Sequence, residues 1–141
     1  MQGARTAGDQ HAQARALTQL GAAQKQTGDY PGAAASLTRA LQLFRDLGDR
    51  HGEAVASINL GELLFLSSAH RQARGYFAQA LSIARDINAP VQEAQALEGI
   101  GRSHILEGNP VQGAAHLRQA LAIYRRIGAP EAQDIEAALL H

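Results

Sequence analysis

The fold is decided by residues 11–130, which divide without a gap into three segments of 40 residues each. The segments read HAQARALTQLGAAQKQTGDYPGAAASLTRALQLFRDLGDR (residues 11–50), HGEAVASINLGELLFLSSAHRQARGYFAQALSIARDINAP (51–90) and VQEAQALEGIGRSHILEGNPVQGAAHLRQALAIYRRIGAP (91–130). Six columns are identical in all three: Ala14/Ala54/Ala94, Ala16/Ala56/Ala96, Gly21/Gly61/Gly101, Ala40/Ala80/Ala120, Leu41/Leu81/Leu121 and Arg45/Arg85/Arg125. Self-similarity at a fixed period is the signature of a repeat architecture.

Each unit is predicted to form two helices, A and B, joined by a short turn. In the first unit, the sequence GDYP at 28–31 ends a helix expected over 10–27 and begins one over 31–47. Glycine commonly ends helices and proline suits a first helical turn. The third unit repeats this with GNP at 108–110, whereas SSAH at 67–70 is a weaker break. We therefore expect an all-α protein built from helix hairpins.

The column Gly21/Gly61/Gly101 indicates how the two helices pack. A glycine inside a helix costs about 1 kcal/mol relative to alanine. Its recurrence at one position of every unit predicts a close approach, at which helix B leaves no room for a Cβ on helix A. One hairpin cannot bury its apolar face alone, so the units are expected to stack.

Composition excludes several classes of protein. Apolar residues make up 45% of the chain, aromatic residues 4%, and cysteine is absent, so disulfide and thiolate chemistry are excluded. Lys+Arg and Asp+Glu both total 13, and we find no basic stripe typical of nucleic-acid binding. No apolar run is long enough to span a membrane. We expect residues 1–9 to form a flexible lead-in without a secretory signal, and the protein to be cytoplasmic.

No motif for catalysis, a cofactor or a metal is found. The six histidines lack the spacing of a metal site, and GIG at 99–101 lies in a predicted helix rather than after a strand. We therefore predict a non-enzymatic protein. The Arg45/Arg85/Arg125 column is interpreted as structural, since cations stabilise the last turns of a helix. Phosphopeptide binding is the alternative role for these arginines.

The residues now support a family resemblance. LG in helix A, followed by GDY, A, L and AL at fixed offsets, resembles the tetratricopeptide repeat, over residues 11–130. The 40-residue period is longer than the common 34. The stretches RDLGDRHGEAVASINLGELL and ALQLFRDLGDR are similar to repeat arrays of actinobacterial transcriptional activators and signalling ATPases. The usual helix-A aromatics are absent, with Leu17, Ser57 and Leu97 at the tryptophan position.

The resemblance implies a right-handed superhelical α-solenoid whose A helices line a concave peptide-binding groove. It assigns to the groove Arg15, Thr18, Lys25, Val55, Ile58, Asn59, Glu62, Phe65, Leu66, Gln95, Glu98, Arg102 and Ile105. The apolar members of the second unit either contact a ligand or pack against the neighbouring repeat. Asn59 either bonds a ligand backbone or is solvated. A clamp for C-terminal carboxylates is not expected, because Asn59 alone has a suitable side chain among the matching positions.

We therefore expect a single domain over 10–141 that binds a protein or peptide, as the interaction or sensing part of a bacterial regulatory protein. One alternative is a sensor of a peptide pheromone or small ligand. Another is an array that self-associates through an exposed terminal repeat. EAQDIEAALLH, residues 131–141, is expected to form a further helix. That helix either caps the array or begins a fourth repeat of a longer chain.

Overall fold

The computed structural model describes residues 6–140, and within that range it contains seven helices and no strand. The helices are α1 (Ala7–Gln26), α2 (Tyr30–Leu47), α3 (Arg50–Leu66), α4 (His70–Asp86), α5 (Pro90–Leu106), α6 (Pro110–Ile127) and α7 (Glu131–Leu139). Residues 1–5 of the predicted lead-in lie outside the described residues. The first helix begins at Ala7, three residues before the predicted start, because the Thr6 hydroxyl caps it by accepting from the Asp9 backbone N–H at 3.1 Å.

The helices pair into three hairpins that stack in chain order. Contacts join α1 to α2, α3 to α4 and α5 to α6, and each hairpin then packs on the next, with α7 against α6. The backbones of the odd helices α1, α3 and α5 also approach one another in order, with Cα atoms within 8 Å. Within residues 6–140, the backbones of α2, α4 and α6 do not approach one another this closely. The odd helices, which are the predicted A helices, therefore line the tighter, concave side of the stack. The predicted all-α solenoid is confirmed.

Left-handed backbone conformations end the helices at equivalent positions of the units. Gly28 and Gly108 both have φ +86°, and the corresponding residue of the second unit, Ser68, has φ +64°. Asn88, at φ +56°, likewise stands where the other units have glycine. The weak break predicted at 67–70 is therefore a turn of the same kind. Its left-handed residue is Ser68, although this conformation is unfavourable for residues other than glycine.

The repeated glycine column marks the close approach of helix A to helix B. A Cβ on Gly21 would come within 2.5 Å of Leu37, and one on Gly61 within 2.8 Å of the Phe77 ring. On Gly101 it would meet the backbone carbonyl oxygen of Gly113 at 2.8 Å. Side chains fill this space in the first two units, whereas in the third the Gly113 backbone and the Leu117 side chain fill it together. The packing predicted from the sequence is confirmed.

The arginine column joins successive units. Arg45 Nε donates to Glu53 on the next A helix at 3.2 Å, and Arg85 repeats the bond to Glu93 at 3.2 Å. The guanidinium of Arg45 also donates to Gln79 on the next B helix at 3.0 Å. The arginines are exposed and the glutamates are half-buried, so each pair is partly screened by solvent and contributes little stability, about 0.2–1 kcal/mol. Their regular geometry supports the structural interpretation of the column.

Candidate functional site

A cavity of about 420 Å³ opens on the concave surface beside the junction of the second and third units. Its lining residues lie on six helices, namely the A helices α1, α3 and α5 together with α4, α6 and α7. The lining residues are Lys25, Glu62, Phe65, Leu66, Phe77, Gln95, Glu98, Gly99, Arg102, Tyr124 and Glu131. They combine aromatic and apolar surface with five charged side chains, as binding sites commonly do.

Aromatic side chains form the apolar part of the lining. Phe77 on α4 and Tyr124 on α6 are buried, at 2% and 1% exposure. Gly99 allows this arrangement, since a Cβ on it would come within 2.5 Å of the Phe77 ring. Phe65 is half-buried and packs edge-on against the His70 ring, with 5.1 Å between ring centroids. The third unit therefore sits closely over the second at this point.

The charged groups in the cavity form two separate hydrogen-bonded sets, one around Glu62 and one around Glu98. Lys25 on α1 donates from Nζ to Glu62 Oε1 on α3 at 2.7 Å, which joins the first unit to the second. Glu98 accepts from Arg102 Nε at 2.9 Å and from the Tyr124 hydroxyl at 3.1 Å. Burial raises the pKa of Tyr124 far above its ordinary value, and the carboxylates of Glu98, Glu131 and Glu62 raise it further. The Tyr124 phenol is therefore neutral and serves as a donor.

Seven of the thirteen predicted groove residues line this cavity: Lys25, Glu62, Phe65, Leu66, Gln95, Glu98 and Arg102. They come from all three A helices. Of the remaining six, Arg15 and Ile105 are exposed and Val55 is half-buried, all outside the cavity.

Three predicted groove residues are occupied by contacts within the protein. Ile58 is only 4% exposed and belongs to the core cluster that contains Phe77. The Thr18 hydroxyl donates to the carbonyl oxygen of Ala14 at 2.9 Å, and the Asn59 amide donates to that of Val55 at 3.0 Å. Each of these two polar groups thus bonds one turn back on its own helix.

Sequence analysis missed four lining residues: Phe77, Gly99, Tyr124 and Glu131. The assignment of the groove considered the A helices of complete units, whereas Phe77 and Tyr124 lie on B helices and Glu131 begins α7. Gly99 could have been noticed, because it lies two residues before the repeated Gly101, at the position where the second unit has Asn59. A second glycine in one helix indicates a second close approach.

The described residues contain no group of three or more His, Asp or Glu side chains placed to hold a metal ion. His104 and His116 form a stacked pair, with ring centroids 5.5 Å apart. Burial and the neighbouring Arg74 charge lower the pKa of His104 below its ordinary value. None of the helices described over residues 6–140 is long and apolar enough to cross a membrane.

The architecture defines a class, the helical-repeat solenoids whose A helices line a concave surface. A family model for the tetratricopeptide repeat matches residues 12–86, which is more than half of the chain, and the chain belongs to that family. Tetratricopeptide repeats are generally non-catalytic scaffolds for protein interaction. A search of curated protein sequences found no significant match.

Among solved structures, the apo form of RapI is similar to this chain, with a TM-score of 0.86 and 17% sequence identity. The match covers 91% of this chain and 47% of the RapI chain, so the present chain spans about half the length of RapI. At this identity the likeness shows a shared fold.

Proposed function

We propose that this protein is a non-catalytic scaffold that binds a protein or peptide segment in its concave groove, centred on the cavity between the second and third units. The observation that carries the proposal is the cavity itself. It combines half-buried and exposed apolar side chains, Phe65 and Leu66, with hydrogen-bonding groups on three successive A helices. Helical or extended peptides bind grooves of this kind through apolar anchors.

The exposure of Leu66 supports a binding role for the groove. Its side chain is 53% exposed although it lines the cavity, whereas the core residue Ile58 is 4% exposed. An apolar side chain left uncovered beside a cavity gains free energy when a ligand covers it, about 25 cal/mol for each Å² of apolar surface removed from water. Leu66 is therefore the residue at which a charge should oppose binding without disturbing the fold.

The test is to select peptides that bind this protein from a random 12-residue phage-display library and to measure their affinities by fluorescence anisotropy. Leu66→Glu should weaken the selected peptides at least about tenfold, the loss expected for a contact of roughly 1.4 kcal/mol. The matched control is Leu140→Glu, because Leu140 is 82% exposed and lies outside the cavity. Equal binding to the two variants and to the wild type would exclude the groove assignment.

The proposal extends to the biological setting. We infer that the scaffold is the interaction or sensing part of a bacterial regulatory protein in the cytoplasm, as its resemblance to the arrays of bacterial regulators suggests. The sequence of the surrounding gene tests this inference, since an encoded DNA-binding or nucleotide-binding module would support it and a secretory leader would oppose it.

A sensor of a peptide pheromone or small ligand is the second candidate, favoured by the size of the cavity. A volume of about 420 Å³ lies within the range of small-molecule sites, roughly 300–1,000 Å³. Such a ligand would raise the melting temperature of the isolated protein. A screen of peptides and metabolites by thermal shift distinguishes this function from the binding of a long protein segment.

A further inference from the structure

The cavity holds more negative than positive charge. Three carboxylates line it, those of Glu62, Glu98 and Glu131, against the two cations Lys25 and Arg102. Each cation is already bonded to one carboxylate, Lys25 to Glu62 and Arg102 to Glu98. The Glu131 carboxylate has no hydrogen bond or ion pair with another residue in the range 6–140. One negative charge is thus left without a partner at the cavity.

Aromatic rings lie beside these carboxylates. Phe65, Phe77 and Tyr124 all line the cavity, but Phe77 and Tyr124 are buried and only the half-buried Phe65 leaves ring surface for a ligand to cover. The faces of aromatic rings attract cations. Lysine and arginine side chains combine an apolar methylene stem with a charged head. Such a side chain can place its stem against Phe65 and its head among the carboxylates of the cavity. Of these, Glu131 and the Oε2 atom of Glu62 accept no hydrogen bond from a residue in the range 6–140. The half-buried Phe65 beside an excess of carboxylate therefore favours a cation with an apolar stem over an anion or a neutral polar group.

An apolar shoulder continues from one side of the cavity. Leu66 lies on its rim, and Ile105 and Leu106 follow Arg102 by one helical turn on α5. Ile105 is 40% exposed and Leu106 is 58% exposed. Residues three and four apart on a helix share a face, so the shoulder and the cavity are adjacent. An occupant that enters the cavity can therefore also cover these side chains.

We propose that the bound peptide places a lysine or arginine side chain in the cavity and an apolar neighbour on the shoulder formed by Leu66, Ile105 and Leu106. This inference rests on the proposed function and specifies the chemistry of its ligand. An acidic side chain would have to displace Glu62 from Lys25 or Glu98 from Arg102, and it would face the unpaired carboxylate of Glu131. Charge complementarity therefore selects a basic partner.

The test uses the strongest peptide from the phage selection and an analogue in which each arginine is replaced by citrulline and each lysine by acetyl-lysine. These replacements keep the shape of the side chain and remove its charge. Both peptides are titrated against the wild-type protein and against Glu62→Gln/Glu131→Gln. The matched control is Asp46→Asn/Asp134→Asn, which removes two exposed carboxylates outside the cavity, one of them on α7.

The wild type and the control variant should bind the charged peptide about tenfold more tightly than the neutral analogue, as expected for two ion pairs of up to about 1 kcal/mol each. Glu62→Gln/Glu131→Gln should lose this preference and bind the two peptides with similar affinity. A circular dichroism spectrum like that of the wild type shows that the variant is folded. The preference should also shrink as salt is raised from 50 to 500 mM.

Three results would overturn the inference while leaving the proposed function in place. The selected peptides could lack basic residues, they could be enriched in acidic ones, or the double glutamine variant could retain the preference for charge. A different result, in which no selected peptide distinguishes the wild type from Leu66→Glu, would overturn the proposed function and this inference with it.

Discussion

Replacing glycine by alanine at two helical positions should change stability in opposite directions. At Gly75, in the middle of α4, an added Cβ meets no atom within 4 Å. Gly75→Ala should therefore stabilise the protein by about 0.5–1 kcal/mol, the helix-propensity difference. At Gly101 the added Cβ would lie 2.8 Å from the carbonyl oxygen of Gly113 and 3.0 Å from Leu117. A backbone oxygen cannot rotate away, so α5 and α6 must separate.

Overpacking of this kind typically costs 1–3 kcal/mol, which exceeds the propensity gain. We expect Gly101→Ala to destabilise the protein by about 1–2 kcal/mol, so that the two variants differ by roughly 2–3 kcal/mol. Thermal unfolding followed by circular dichroism at 222 nm measures this, at about 3 °C for each kcal/mol in a chain of this size. Equal stabilisation by both substitutions would refute the close approach that we infer from the glycine column.

Three further predictions concern stability. Ser68→Gly should raise it by about 1 kcal/mol in urea unfolding, because Ser68 has φ +64° and glycine adopts that conformation freely; no gain would contradict this reading of the turn. Ser57→Ala should also stabilise the protein, by about 1 kcal/mol, because the Ser57 hydroxyl is buried without a hydrogen-bond partner among residues 6–140. Ser103→Ala is its control and should not stabilise, since that buried hydroxyl donates to a backbone carbonyl at 2.8 Å. The pKa of His104 is lowered in the folded state by burial and by the Arg74 charge, so the unfolded chain binds the proton more readily. Stability should therefore fall as the pH drops below the ordinary histidine pKa of about 6.5, and His104→Gln should flatten that dependence in melting curves; an unchanged slope would contradict it.

The repeat made the fold predictable. The identical columns predicted the three hairpins and the close approach at Gly21 and its counterparts. A contact that recurs in every unit requires the same type of residue in every unit, so it is visible in the sequence. Helix ends were predictable where glycine and proline mark them. The turn at Ser68 was only weakly indicated, since serine does not signal the left-handed conformation that it adopts there.

The candidate site was less predictable because it is not repeated. The cavity depends on Gly99 and Tyr124, which differ from their counterparts in the other units, and on Glu131 at the start of α7. Column position gives the face on which a side chain lies but not how deeply the next unit covers it. Ile58 and Leu66 were thus treated alike from the sequence, although one is 4% and the other 53% exposed. The arginine links were also missed, since the pairing of Arg45 with Glu53 joins two different units.

The central claim is that a peptide binds the concave surface at the junction of the second and third units. A titration of ¹⁵N-labelled protein with a selected peptide, followed by amide chemical shifts, tests it most directly. We predict that the largest shifts fall on the concave residues of α3 and α5, around Glu62, Phe65, Gly99 and Arg102. Saturable shifts confined to α2, α4 and α6, with these four amides unmoved, would contradict the account.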